Sequence, residues 1–290
     1  MSGLGDPGRR GRIEGWSGAP FASRLPAILL VALIGFGAVV RPAAPVILVG
    51  VLFLYLVTRR FERRSIALAA VLPAAVILVW RAIPQPLADP LGADCANLLA
   101  PPAVWRFLEG AVGLAAIVAL VADRGASLAG IGFRRGSRRV MAVAILGLLL
   151  IGPVALYATA VLGDTVLGGS FFGNYALDLA QPLAIMPAVL FAASNALAEE
   201  LAYRGAMRTW LTPSLGIVGA NLAQAIVFGL AHTGDDFVGP ETAIPTMVAM
   251  VVVGFVGGIV ARRTGSLTLP LAIHLAADIP IYFYWACRVG

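Results

Sequence analysis

The run LAIMPAVLFAASNALAEELAYRGAMRTWL, residues 183–211, decides the fold class of this chain. It is apolar on both sides of a small charged group, Glu199, Glu200 and Arg204, and it lacks the period-two alternation of a strand. A long apolar run without alternation reads as a helix, and about 20 such residues suffice to cross a bilayer. Ionisable groups inside a membrane helix are costly and mark function by default. The run therefore predicts both a membrane and a site within it.

Further apolar segments recur at about 26–40, 44–57, 66–80, 103–121, 140–162, 216–232, 244–261 and 267–287. The chain is 60% hydrophobic and 12% charged over 290 residues, whereas a soluble domain carries roughly a quarter charged residues. A water-soluble globule is excluded. Lipid admits only helices or closed barrels as spanning forms. The expected fold is all-α, a polytopic transmembrane helical bundle of about eight to nine membrane helices. Several early segments are shorter than about 20 residues, so the first two also read as a re-entrant pair.

The formal charge of +6 comes from 21 basic residues, all arginine, against 15 acidic ones. The arginines cluster between apolar segments, which is a topology signal and not a nucleic-acid patch. An N terminus in the cytoplasm puts Arg9, Arg10, Arg12, Arg24, Arg59, Arg60, Arg63 and Arg64 inside. Arg124, Arg134, Arg135, Arg138, Arg139, Arg208, Arg262 and Arg263 join them. The outer loops then hold Asp89, Asp94, Asp164, Asp178, Asp235, Asp236 and Glu241, with Arg41 and Arg81 as basic exceptions. Nine crossings fit this pattern, in the plasma (inner) membrane if the chain is bacterial.

Three regions are expected: a disordered cytoplasmic arm at 1–24, rich in Gly, Arg, Ser and Pro; N-terminal transmembrane helices at 25–122; and a core at 123–290. Arg41-Pro42 stands where a signal peptide would need small cleavage-site residues. Two cysteines, Cys95 and Cys287, are too few for a disulfide framework or a thiolate metal site. Both fall on the outer side, where one disulfide can form.

The chemistry is concentrated. The only two histidines are His232, at the end of one helix, and His274, which shares the last helix with Asp278. Glu200 and Arg204, four apart, lie on one face and can pair, while Glu199 points about 100° away. His274 and Asp278 share a face by the same spacing. Taking turns at about 212–215 and 264–266, the ~1.5 Å rise per residue puts Glu199 ~18 Å deep, His274 ~12 Å, Asp278 ~18 Å and His232 ~26 Å. With tilt they converge near mid-membrane. A carboxylate withdrawn from bulk water suits a general base, a neighbouring histidine can share its proton, and a second can stabilise an oxyanion. Addition of water to an amide needs no Ser, Thr or Cys nucleophile.

Glu199-Glu200-x-x-x-Arg204, Phe228-x-x-x-His232 and His274-x-x-x-Asp278 resemble the three ordered motifs of the CPBP family, the CAAX proteases and bacteriocin-processing enzymes. The resemblance covers about residues 125–287, including Gly130-Ile-Gly-Phe-Arg-Arg135. It implies a glutamate-type intramembrane endopeptidase in which Glu199 and His232 activate water. It implies an oxyanion site at His274 and position 278, with Glu200 and Arg204 holding the helix and Phe228 positioning His232. Eukaryotic prenyl-protein proteases carry Asn at the last position. An ionised Asp278 only accepts hydrogen bonds, so it is expected to orient His274 or a water.

No cofactor is required in this reading, although Glu199, His232, His274 and Asp278 would be adequate ligands for a zinc ion. The expected partners are the bilayer and a membrane-anchored peptide or protein substrate, with no nucleic acid. The competing functions are a proton-coupled carrier using the same groups as a relay and a non-catalytic immunity or binding protein on the same bundle. Tyr203 and Trp210 read as interfacial or packing aromatics, and Arg208 as a topology anchor.

Overall fold

Backbone amides that meet no water must find partners within their own segment, and the described residues do so as helices. The computed structural model describes residues 21–83, 101–162, 176–177, 184–233, 243–286 and 288–289. The helices are α1 (Phe21–Val39), α2 (Ala44–Thr58), α3 (Glu62–Ala82), α4 (Pro101–Asp123) and α5 (Arg138–Leu162). They are followed by α6 (Ile185–Glu199), a π-helical stretch (Glu200–Met207), α7 (Arg208–Ala231), α8 (Ala243–Thr264) and α9 (Thr268–Ala286). Ala176–Leu177 pairs antiparallel with Arg288–Val289.

By length and composition, five helical runs are able to cross a membrane, one of them spanning Ile185–Ala231. That run is not straight. Gly216 has φ 73° and ψ 172°, a conformation essentially reserved for glycine, and it folds α7 back on its own beginning. The ring centroids of Tyr203 and Phe228, about equally far from Gly216 along the chain, lie 5.3 Å apart. The described residues thus form a helical bundle with one rod for each apolar segment of the sequence. Apolar side chains such as Val46, Val49, Phe53, Leu149 and Val253 remain exposed, as lipid-facing groups should. The buried face of α3 is dominated by alanines, including Ala69, Ala70, Ala74 and Ala75, small residues that let helices approach closely.

The rod of α6 and the π stretch lies at the centre, in contact with α3, α4, α7, α8 and α9. Two expectations about its surroundings are corrected. Helix α1 begins at Phe21, so the last residues of the expected disordered arm are helical. The two turns used to gauge depth are also not level. Glu199 is ~25 Å of helical rise from Gly216 and His274 only ~10 Å from Leu267, yet their side chains meet. The turn before α9 is therefore inset. At its level Gly205 packs so closely that an added Cβ would lie 3.2 Å from the Ile131 carbonyl oxygen and 3.5 Å from Leu267. The Gly130–Arg135 segment forms this floor, where Leu267 N donates to Gly132 O at 2.9 Å.

Arginines gather at one end. Arg59 pairs with Asp123 at 3.6 Å, Arg124 donates to Ser65 Oγ at 2.7 Å, and Arg134 Nε donates to Gly265 O at 2.6 Å. The two outer exceptions meet at the other end, where Arg41 donates to the Arg81 carbonyl at 3.3 Å. Cys95, Cys287 and the acidic residues expected on the outer side, Asp89, Asp94, Asp164, Asp178, Asp235, Asp236 and Glu241, lie outside the described residues.

Candidate active site

The charged motif residues are drawn into the bundle interior, where Glu199 is 0%, Glu200 2%, Arg204 1% and Asp278 4% exposed, while His232 and His274 are half-buried. On the central rod, Arg204 pairs with Glu200 at 3.3 Å across one turn, the contact their spacing implies. Glu199 does not stand apart from that pair. The imidazole of His274 bridges both glutamates, with Nδ1 2.9 Å from Glu200 Oε1 and Nε2 3.4 Å from Glu199 Oε2. The uniform α-helix assumed from spacing gives way here to π-helical turns, a deformation that recurs at functional sites. Its wider turn reduces the angle between successive side chains.

Asp278, one turn along α9, places Oδ2 3.6 Å from His274 Nε2. It also accepts a hydrogen bond from Asn195 Nδ2 at 2.8 Å. At the last motif position this chain has a carboxylate, and an amide reaches it from α6. Asn195 carries the signal of its role in its spacing, one turn before Glu199.

His232 closes α7, and its Nδ1 lies 2.7 Å from the carbonyl oxygen of Phe228. A carbonyl only accepts, so Nδ1 carries the hydrogen and Nε2 of the neutral ring keeps its lone pair. This is what four-residue spacing in Phe228-x-x-x-His232 provides. The Phe228 ring packs against His232 with centroids 4.5 Å apart, and the Arg204 guanidinium lies 3.8 Å over its face. Phe228 thus joins the first two motifs by a cation–π contact. Tyr203, fully buried against it, is a packing aromatic and not an interfacial one.

Besides Asn195, three functional candidates come from outside the motifs. Arg81, at the end of α3, donates to Glu199 Oε1, to Glu109 Oε1 at 2.9 Å and to Asn195 Oδ1 at 3.3 Å. Arg106 holds both oxygens of Glu109 at 2.9 and 2.8 Å. Arg81 had the appearance of a topology exception; the structure gives it a buried carboxylate partner. Arg106 and Glu109 lie inside an apolar segment and could have been found by the same rule that picked Glu199.

Arg81, Arg106, Asn195, His232 and Asp278 line a cavity of about 30 Å³ with Phe191 and Ile281, space for one or two waters. Glu199 is joined to this wall through Arg81, which donates to its Oε1, while its Oε2 lies 3.4 Å from His274 Nε2. The buried cluster contains four carboxyl groups and three guanidinium groups. A net charge in low dielectric is very costly, so these groups are held in direct ion pairs.

The described residues do not fit a resident divalent ion as they stand. No three of His, Cys, Asp or Glu converge as ligands among them, and a guanidinium already occupies one oxygen of Glu199.

No curated protein and no solved structure matches the chain. The family model described as Rce1-like, type II CAAX prenyl endopeptidase Rce1-like, matches residues 181–280. That segment carries Glu199, His232, His274 and Asp278, so the motif-bearing part of this chain is similar to the CAAX-protease family its motifs resemble.

Proposed function

We propose that this chain is an intramembrane endopeptidase that hydrolyses a peptide bond of a membrane-associated protein or peptide, using a water activated by Glu199 and His232. The observation that carries the proposal is the water-sized cavity walled by His232, Asp278 and the Arg81 guanidinium that binds Glu199. The similarity of residues 181–280 to an endopeptidase family supports it.

Water in the cavity donates a proton to Glu199 Oε2, either directly or through the lone pair on His232 Nε2. Its oxygen bonds to the scissile carbonyl carbon. Asp278, held by Asn195, accepts from the same water and orients it. The negative charge that develops on the carbonyl oxygen needs donors, which Asp278 cannot supply when ionised. His274 is one donor; Arg81 and Arg106, which face the cavity, add fixed positive charge. The C–N bond then breaks as the stored proton passes to the amine, which leaves a carboxylic acid and an amine as products. Arg81 acts as a positioning residue for Glu199, and Arg204 does the same for Glu200.

The deciding experiment compares the termini of membrane-embedded peptides in cells carrying the wild type and Glu199→Gln. Peptides with new termini should be present only with the wild type. An identical set in both strains would sink the hydrolase reading and favour a carrier or binding protein.

A further inference from the structure

A pocket of about 380 Å³ lies at the arginine-rich end, between α7 and the last turn of α8. Arg208, Arg262 and Arg263 line it. No carboxylate pairs with any of the three among the described residues. Among the described residues the one side-chain hydrogen bond of Arg208 is Nε donating to the Arg204 carbonyl at 2.8 Å, which leaves its terminal nitrogens. Thr209 and Thr212 add hydroxyls to the wall. A bias of arginines toward one membrane face accounts for cations spread in water. Here the half-buried Arg208 and the exposed Arg262 and Arg263 line one concavity, and an anion bound there would relieve their mutual repulsion.

We propose that this pocket binds the phosphodiester headgroup of an anionic membrane lipid. Guanidinium groups match phosphate oxygens as paired donors, and basic pockets between membrane helices suit such headgroups. The rest of the lining decides between a lipid and free phosphate. Val218, Phe255 and Ile259 form an apolar side to the pocket. Val252 and Val256 continue along α8 as exposed apolar groups. An amphiphile fits such a surface with its phosphate on the arginines and its chains along the valines; inorganic phosphate leaves the apolar part unused. The proposal does not depend on the peptidase reading.

The test titrates the detergent-solubilised full chain with dihexanoyl phosphatidylglycerol, dihexanoyl phosphatidylcholine or inorganic phosphate, following thermal stability. Phosphatidylglycerol should stabilise the wild type and phosphatidylcholine should not. In Arg262→Gln/Arg263→Gln the concentration needed should rise by more than about tenfold, since each arginine near an anionic surface contributes about fivefold. Arg138→Gln/Arg139→Gln, which removes equal charge from exposed positions outside the pocket, should change little. If the first pair unsettles the fold, Val218→Glu offers an independent variant that places a carboxylate among the arginines and should abolish the effect. Equal stabilisation by inorganic phosphate would overturn the lipid assignment in favour of a soluble phosphate ligand. Equal loss in both double variants, or none in either, would overturn the pocket itself.

Discussion

At the residue scale, the site is a set of charges that stabilise one another only as a group. Removing one partner of a buried pair leaves an uncompensated charge at a cost of about 3–5 kcal/mol. Arg204→Ala is therefore expected to lower membrane abundance together with activity, because Glu200 loses its cation; immunoblotting of membranes beside a cleavage assay reads both. A stable but inactive Arg204→Ala would give Arg204 a direct catalytic part. Glu199→Gln keeps the side-chain volume, so its abundance should stay near that of the wild type while cleavage disappears. Arg81 makes a finer distinction. Lysine preserves its charge without the planar fork that reaches Glu199, Glu109 and Asn195 together. Arg81→Lys should therefore accumulate normally and lose activity by tenfold or more, whereas Arg81→Met should also accumulate poorly. Normal turnover by Arg81→Lys would show that Glu199 needs no aimed partner. Chelator treatment of the purified protein should leave cleavage intact, since no ligand set for a metal converges among the described residues; loss restored by zinc would argue for a metal route.

At the element scale, two glycines and one stretch of irregular helix position the chemistry. Gly216 reverses the chain between the limb that carries Glu199 and the limb that carries His232. A side chain there is strained by about 1–3 kcal/mol, so Gly216→Ala should lower the melting temperature in detergent and reduce activity with it. Gly205 allows the inset floor to approach the central rod, and Gly205→Val should push that floor and the start of α9 away from the rod and so displace His274, which a loss of cleavage would report. The π-helical stretch was not legible in the sequence. Leu201-Ala-Tyr-Arg204 has ordinary helical composition, and the deformation depends on what packs around it, with His274 drawing both glutamates to one side. Helix existence, in contrast, was legible for every apolar segment, because lipid leaves the backbone no other way to satisfy itself.

At the scale of the whole molecule, the arginine distribution makes a topology expectation that reporters can check. Cysteine probes at Arg60 and Arg138 should label from the same side of the membrane, and a tag at the C terminus should report the opposite side after nine crossings. Labelling of a C-terminal tag from the Arg60 side would mean that one segment does not cross. The sequence by itself determined that this chain is a membrane-embedded helical bundle, and it picked out the pairs that lie one turn apart. Both follow from local physics: the solvation of the backbone in lipid, and the repeat of the helix. Only the tertiary structure decided that Arg81 reaches Glu199 across 118 residues of chain, that Asn195 serves Asp278 across 83, and that one imidazole joins two glutamates. Those contacts depend on the order in which helices pack and on how each is turned about its own axis. Composition and spacing along one helix carry no record of either.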